Sequence, residues 1–364
     1  STPIKSSAAS DVYKRQILII LFIIGFIVIN KINIVEKKKT KLYWESGITI
    51  VPTMEDIITL DSSWCGTFQL VWNDMKNEVV KKDIIFTPQL EVVENLNKET
   101  FTQNNLSEQS YYKKFGIPSP KLKKEIESSI KKKFNETSDI LEDFEWNSAD
   151  SRDYVLYTML KKEFQFQKAF EQLENGTFGN YENVKYFGIE KDSKSDELRN
   201  QVTVLYYNSK DEFAIKLKTK QLDEVILCKS PKGDTFNEIY RDIIKQESQY
   251  NGNTSLQKGE LLKVPNITFN TKKEFKEIEN KTFLSSNGDE CYIKKAVQTI
   301  DFELDRAGGK IKSEAGGDII AMSVEMIVEN REFAIDNTFA IFLREKGKDM
   351  PYFAGRIDDI TKFQ

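Results

Sequence analysis

The chain has 364 residues, 39% of them hydrophobic, and a formal net charge of only −4. This length fits one large domain or two ordinary ones, and the charges show no basic face of the kind that nucleic-acid binding needs. The absence of histidine excludes Ser-His-Asp and Cys-His nucleophile pairs and histidine-based zinc sites. We therefore expect no enzyme, no cofactor and no metal site.

The three cysteines, Cys65, Cys228 and Cys291, lie far apart and lack the spacing of a zinc site. One pair can still form a disulfide in three dimensions. We favour buried, unreactive thiols, because free cysteine is among the most buried residue types.

The N-terminal part of the chain carries a membrane signal. Residues 1–16 look like translated adapter sequence, and we expect them to be a non-native leader. Residues 17–29 form an unbroken apolar run, and residues 17–35 approach the length of about 20 residues that a transmembrane helix needs. No small-x-small cleavage site follows, so we expect an uncleaved signal anchor with the bulk of the chain outside the cell; cleavage would give a secreted protein.

The remaining chain is divided into a linker, residues 36–60, and a folded domain, residues 61–364. Helices are predicted early in this domain, at 68–76 and 121–141, because apolar residues recur there at helical spacing. Residues 83–93 indicate a short strand interrupted by a proline.

Strands predominate later in the domain, with predicted helices at 236–246 and 272–278. The predicted strands are 154–160, 184–189, 201–207, 212–217, 224–227 and 261–269. Early helices and late strands predict an α+β domain whose helices pack on antiparallel sheets.

The segment 309–317 alternates residue by residue. One side carries Gly309, Ile311, Ser313, Ala315 and Gly317; the other carries Lys310, Lys312 and Glu314. Successive side chains of a strand face opposite ways, so this segment predicts a half-buried strand. A shift of one residue would bury two lysines and a glutamate, so only one register is possible. An ordinary exposed edge strand is the alternative.

Several segments, in chain order, resemble the serpin family of protease inhibitors. The C-terminal segments match best: 300–308 is similar to the strand ending in "VNEEGTEA", 333–343 to "FxADRPFLFLI" and 352–357 to "ILFMGRVVNP". Weaker similarities occur at 68–70, 84–88, 130–141, 154–170 and 262–267. The resemblance covers most of residues 66–364.

The resemblance implies a loop that a serine or cysteine protease cuts, after which the hinge inserts into the main sheet as a new central strand. Alignment on Gly308 makes the hinge residues Gly308, Gly309, Ile311, Ser313, Ala315 and Gly317. Loop length places the scissile bond at Met322–Ser323, with Met322 as the specificity residue.

Two features depart from the family pattern. Arg306 or Ala307 stands where the family has a glutamate, and Gly309 stands where it has a threonine. The short segment 88–121 predicts a reduced helical half. We expect a membrane-anchored, extracytoplasmic serpin-like protease inhibitor, with a non-inhibitory binding or structural ectodomain as the alternative.

Overall fold

The computed structural model of the protein describes residues 47–147, 150–309 and 331–364. The predicted anchor, residues 17–35, lies outside these ranges. Within them, no helix is both long enough and apolar enough to cross a membrane.

The described residues contain few helices. The α-helices are α1 (Thr67–Met75), α2 (Glu91–Asn97), α3 (Pro120–Phe134), α4 (Asp196–Asn200) and α5 (Phe236–Gln249). A π-helical turn, Lys76–Val80, extends α1. Four 3-10 segments are Gln103–Asn105, Glu108–Ser110, Asp139–Asp143 and Ile360–Phe363.

Helix α3 shows how sequence sets these boundaries. The Ser119 hydroxyl accepts a hydrogen bond from the Leu122 amide, and proline occupies the first helical position, as is usual at helix starts. Asn135 ends the helix in the left-handed conformation, at φ +55°, which asparagine tolerates well.

The strands of the described residues are, in chain order, β1 (Thr49–Val51), β2 (Ser62–Cys65), β3 (Tyr111–Gly116), β4 (Asp153–Leu160), β5 (Phe164–Gln165), β6 (Glu171–Gln172), β7 (Gly176–Phe178), β8 (Tyr181–Val184), β9 (Tyr186–Ile189), β10 (Val202–Ser209), β11 (Glu212–Lys218), β12 (Asp223–Lys229), β13 (Leu261–Pro265), β14 (Ile267–Glu274), β15 (Thr282–Leu284), β16 (Glu290–Leu304), β17 (Gly308–Gly309), β18 (Glu332–Ala334), β19 (Phe339–Glu345) and β20 (Phe353–Ile357).

Three sheets hold most of these strands. The seven-stranded sheet runs β1-β2-β20-β19-β12-β11-β10, the five-stranded sheet runs β14-β16-β4-β3 with β15 beside β16, and the four-stranded sheet runs β18-β13-β9-β6. The pairs β1–β2, β4–β16 and β13–β18 are parallel. The sheets are therefore mixed, whereas the sequence predicted antiparallel ones.

The main core joins the five-stranded and seven-stranded sheets. Phe302 of β16 stacks on Phe353 of β20, with ring centroids 4.7 Å apart, and Phe269 of β14 packs on the same Phe353 ring at 6.3 Å. A smaller cluster lies under α3, where Ile126 and Ile130 pack with side chains of β4. Strand β16 is thus fixed to the seven-stranded sheet.

Three local predictions were wrong. Residues 83–90 contain no strand, and residues 91–93 begin α2. Residues 272–274 are not helical but complete β14, because they pair with β16. Residues 49–60, assigned to the linker, belong to the folded domain, since β1 pairs with β2 and Met54 is buried in the core.

Other local predictions are confirmed. The helices expected at 68–76 and 236–246 correspond to α1 and α5, and the strands expected at 154–160 and 212–217 correspond to β4 and β11. All three cysteines are free and buried, as we favoured.

Candidate functional site

Strands β4 and β16 pair for part of their length and then separate. Seven residue pairs hold them parallel, and the last of these joins Thr299 to Met159. Strand β4 ends one residue later, whereas β16 continues to Leu304, still paired with β14. In the described parts of the chain, no strand forms a ladder with the β4-facing edge of residues 300–304, although Gly309 of β17 lies close to the Glu303 carbonyl. We call this gap the opening.

Both main sheets and the predicted hinge line the opening. Its walls include Leu160, Phe164, Phe302, Leu343, Tyr352 and Gly309. Apart from Leu160 and Gly309 these are large side chains of the main core. The opening therefore leads from the surface of the five-stranded sheet to the face of the seven-stranded sheet.

A turn at Asp305 brings the chain back to the opening. The Asp305 and Gly308 backbones exchange hydrogen bonds of 2.9 and 3.2 Å. The Asp305 Oδ1 atom accepts from the amides of Ala307 at 2.7 Å and Gly308 at 3.2 Å. Aspartate first and glycine fourth are favoured in such turns. Strand β17 follows immediately and pairs antiparallel with β5.

Position 308 of β17 accepts only glycine, and a side chain at position 309 would displace Phe164. Gly308 has φ +138°, and a Cβ atom there would lie 2.2 Å from the Phe164 carbonyl oxygen. A Cβ atom on Gly309 would lie 2.6 Å from the Phe164 ring. The threonine that the serpin pattern carries at Gly309 would therefore require Phe164 to move.

An ion cluster of Lys162, Asp223 and Glu345 lies at the opening. The Lys162 Nζ atom is 2.9 Å from Asp223 Oδ1 and 2.7 Å from Glu345 Oε1. The Tyr352 hydroxyl donates to Asp223 at 3.0 Å, and the Ser107 amide and hydroxyl donate to Glu345 at 3.0 and 2.7 Å. Burial alone would raise the pKa of Glu345, but the Lys162 and Ser107 contacts outweigh it and lower that pKa.

Polar side chains also lie beneath the paired part of β4 and β16. Gln298 Nε2 donates to the Cys65 carbonyl and to the Thr67 hydroxyl, both at 3.0 Å. Thr67 in turn contacts the Thr158 hydroxyl at 3.4 Å, and Thr158 is the strand partner of Gln298. Among the described residues, the buried Gln298 Oε1 atom has no hydrogen-bond partner.

Arg331 holds the chain where it re-enters the described residues. Its guanidinium forms two bonds to the buried Glu260 carboxylate, at 2.7 and 3.1 Å. It also donates to the Tyr250 hydroxyl and to the Asn253 and Ser255 carbonyls. Strand β18 then pairs with β13. Both ends of the segment 310–330 are thus held by specific contacts.

Of the predicted site residues, Gly309 lines the opening, and Gly308 precedes it in β17. Ile311, Ser313, Ala315, Gly317 and the Met322–Ser323 bond lie outside the described residues, so their roles stay predictions. Sequence reasoning missed the ion cluster and Arg331. No local signal identifies them, because a buried charge resembles a solvated one until its partners are known. In the described residues, no group of three or more Cys, Asp or Glu side chains is placed to hold a metal ion.

No protein-family model and no curated protein matches the sequence. Several solved structures do match the chain. A thyroxine-binding globulin complex with thyroxine is 11% identical, with a TM-score of 0.49, over 82% of this chain and 92% of that one. Human thyroxine-binding globulin complexed with thyroxine is 11% identical, with a TM-score of 0.41, over 85% and 73%.

A third solved structure is Serpin48, a highly specific serpin of the insect Tenebrio molitor. It is 13% identical, with a TM-score of 0.39, over 77% of this chain and 73% of that one. Identities this low concern the fold alone and say nothing about activity. The chain is similar to serpins of known structure, the family that its segments resemble.

Proposed function

We propose that the protein is a divergent serpin that inhibits a serine or cysteine protease through a cleavable loop within residues 310–330. After cleavage, residues 309–317 insert between β4 and β16 as a new strand. The observation that carries this proposal is the separation of β4 from β16 after Thr299 and Met159, with Gly308–Gly309 already turned back onto β5 beside the opening.

The lengths and the pattern of the hinge support insertion. Strand β4 has 8 residues, and the alternating segment 309–317 spans about 30 Å when extended at roughly 3.3 Å per residue, so it matches β4. Gly309 is buried against Phe164. If the strand continues from there, Ile311, Ser313 and the other small or apolar residues face the same side.

The energetics favour insertion after cleavage. Opening the β4–β16 pair breaks one ladder, and an inserted strand forms two, one on each side. The gain requires the inward side chains to be apolar or small, because an unpaired charge buried in the sheet is strongly unfavourable. Cleavage frees the N-terminal part of the loop from the anchor at Arg331, so insertion becomes possible.

The test is a cut near Met322–Ser323 combined with melting measurements. We expect a denaturant-resistant covalent complex with one of a panel of serine and cysteine proteases, and a rise of melting temperature after cleavage. Ala315→Lys should abolish the rise because it places a charge inward. Glu314→Lys, its outward neighbour, is the matched control and should keep it. An unchanged melting temperature in the cut wild-type chain would exclude insertion.

A non-inhibitory binding or structural ectodomain is the second candidate. Arg306 or Ala307 at the family's glutamate position, and Gly309 at its threonine position, favour this role. A rise of melting temperature after cleavage without a covalent protease complex would favour this candidate. The absence of both results would favour it as well.

We also propose that residues 17–35 anchor the protein in a membrane with the domain outside the cell. The apolar run 17–29 supports this proposal. Full-length protein should resist alkaline extraction from membranes, and protease added to intact cells should remove the domain. A version lacking residues 1–46 should be released; release of the full-length chain would contradict anchoring.

A further inference from the structure

Two apolar side chains on one loop of the domain are open to solvent. The loop joins β1 to β2, and its Ile57 and Leu60 side chains are the most exposed large hydrophobic side chains among the described residues, at 72% and 67%. Single exposed hydrophobic residues are ordinary. Two of them in one short loop form a patch, and an exposed apolar patch indicates a surface that contacts a partner. We call Ile57 and Leu60 the patch.

The chain enters the described domain beside the patch. Strand β1 runs parallel to β2, and continuing their register toward the N-terminus places Gly47 level with Leu60. The Lys362 side chain contacts both places, because it forms an ion pair with Asp61 at 2.6 Å and its Cε atom lies 3.4 Å from the position that a Cβ atom would take on Gly47. The residues before Gly47 therefore start next to the patch.

The chain carries three large apolar residues shortly before this entry. They are Leu42, Tyr43 and Trp44, and they lie outside the described residues; we call them the entry segment. At about 3.5 Å per extended residue, Trp44 stays within about 11 Å of Gly47. The short connection holds the entry segment and the patch at a high effective concentration, and contact between them would remove apolar surface of both from water.

The charges near the patch favour the entry segment over an anionic lipid surface as the partner. Acidic residues flank the patch in sequence, since Glu55 and Asp56 precede it and Asp61 follows it. Anionic headgroups attract basic segments and repel such a border. The entry segment carries no charge, so it meets no such repulsion.

We propose that the entry segment packs on Ile57 and Leu60 and extends the folded domain beyond the first described residue. This contact is independent of protease inhibition and of membrane anchoring. Its consequence is a fixed point at which the chain enters the domain, and a chain that lacks residues 1–46 then leaves the patch bare.

Tryptophan fluorescence tests the contact in the full-length chain reconstituted in liposomes. Three of the four tryptophans are buried: Trp64, Trp72 and Trp146. The difference between each protein and its Trp44→Phe counterpart therefore reports on Trp44. We expect acrylamide to quench Trp44 poorly in the wild type. In Ile57→Ser/Leu60→Ser it should quench Trp44 as strongly as a free tryptophan derivative in solution, because the apolar partner surface is lost.

Leu222→Ser is the matched control. The Leu222 side chain is 64% exposed, but it precedes β12, whereas Ile57 forms a bridge with Thr235, beyond the other end of that strand. This variant should keep Trp44 shielded. If the double variant does not fold, Leu60→Ser replaces it and should raise the quenching of Trp44 in the same direction.

Equal quenching of Trp44 in the wild type and in the variants of the patch would overturn the proposal. Quenching of Trp44 by lipids with brominated acyl chains would also overturn it, because the bilayer would then be the partner. Loss of shielding when the protein-to-lipid ratio is lowered would overturn it in favour of a second copy of the chain. None of these outcomes affects the proposed inhibition, which is tested by cutting the loop.

Discussion

Gly308 shows how one residue controls the path of the chain into the opening. Its φ of +138° disfavours any side chain, and a Cβ atom would meet the Phe164 carbonyl oxygen at 2.2 Å. A side chain at position 308 would avoid this backbone strain and this contact only if β17 separated from β5. The residue therefore fixes the start of the predicted hinge.

We expect Gly308→Ala to lower the free energy of unfolding by about 2–4 kcal/mol, through backbone strain plus overpacking. Gly347→Ala is the matched control, because Gly347 has φ +81° but nothing within 4 Å of its Cβ position. It should lose only about 1 kcal/mol. Urea unfolding of both variants measures the difference, and equal losses would mean that the Phe164 contact is not limiting.

The charged residues at the opening show what sequence cannot provide at this scale. Lys162 is one of 53 lysine and arginine residues, and only its contacts with Asp223 and Glu345 distinguish it. Those partners come from strands far along the chain. By contrast, Gly308 was predicted as a hinge residue from sequence, because residues 300–308 are similar to the serpin segment on which the hinge was aligned.

At the scale of elements, the parallel pair of β4 and β16 is the decisive feature. If insertion opens this pair, a covalent link across it must prevent the cut chain from gaining stability. Thr299 and Met159 form the last pair before the strands separate, and neighbouring strands lie close enough for a disulfide.

We expect the oxidised variant Thr299→Cys/Met159→Cys to show no rise of melting temperature on cutting, and reduction to restore it. The control is Thr268→Cys/Glu303→Cys, which links the register partners of β14 and β16, a pair that insertion leaves together. A rise that persists in the first oxidised variant would place the inserted strand elsewhere.

The predictions of helices and strands were wrong where pairing with a distant strand decided the conformation of a segment. Residues 272–278 have helical spacing, yet residues 272–274 are drawn into β14 by the long neighbouring strand β16. Residues 49–60 were assigned to the linker, yet β1 adds to the edge of the seven-stranded sheet. In both places long-range strand pairing outweighed local propensity.

For the whole molecule, the absence of histidine should remove most pH dependence near neutrality. Histidine is the side chain that ordinarily titrates between pH 5 and 8, and burial raises the pKa of each of the three cysteines. At lower pH, a hydrogen bond from Lys295 is the main reason that the pKa of Glu274 falls from 4.5 to about 2. A carboxylate whose pKa is lowered on folding stabilises the protein above its unfolded pKa, and this is lost as pH falls.

We expect the melting temperature to be nearly constant between pH 6 and pH 8 and to fall below about pH 4.5. Glu274→Gln should reduce the acid loss by less than about 1 kcal/mol, because its ion pairs are partly exposed. Glu345 forms a buried ion pair with Lys162. Glu345→Gln should therefore reduce the stability lost at low pH by more than Glu274→Gln does. A step near pH 6.5 would contradict this expectation.

The sequence by itself determined the α+β class, most of the strands, the serpin-like order of segments and the alternation of 309–317. These features depend on residue types at short spacing, which decide which side of an element faces the core. Tertiary structure alone decided that β4 and β16 lie side by side in parallel, that they separate after Thr299, and that Lys162 bridges two buried carboxylates there. These contacts join residues more than 50 positions apart, and periodicity specifies which face of a strand is buried but not which strand will be its neighbour.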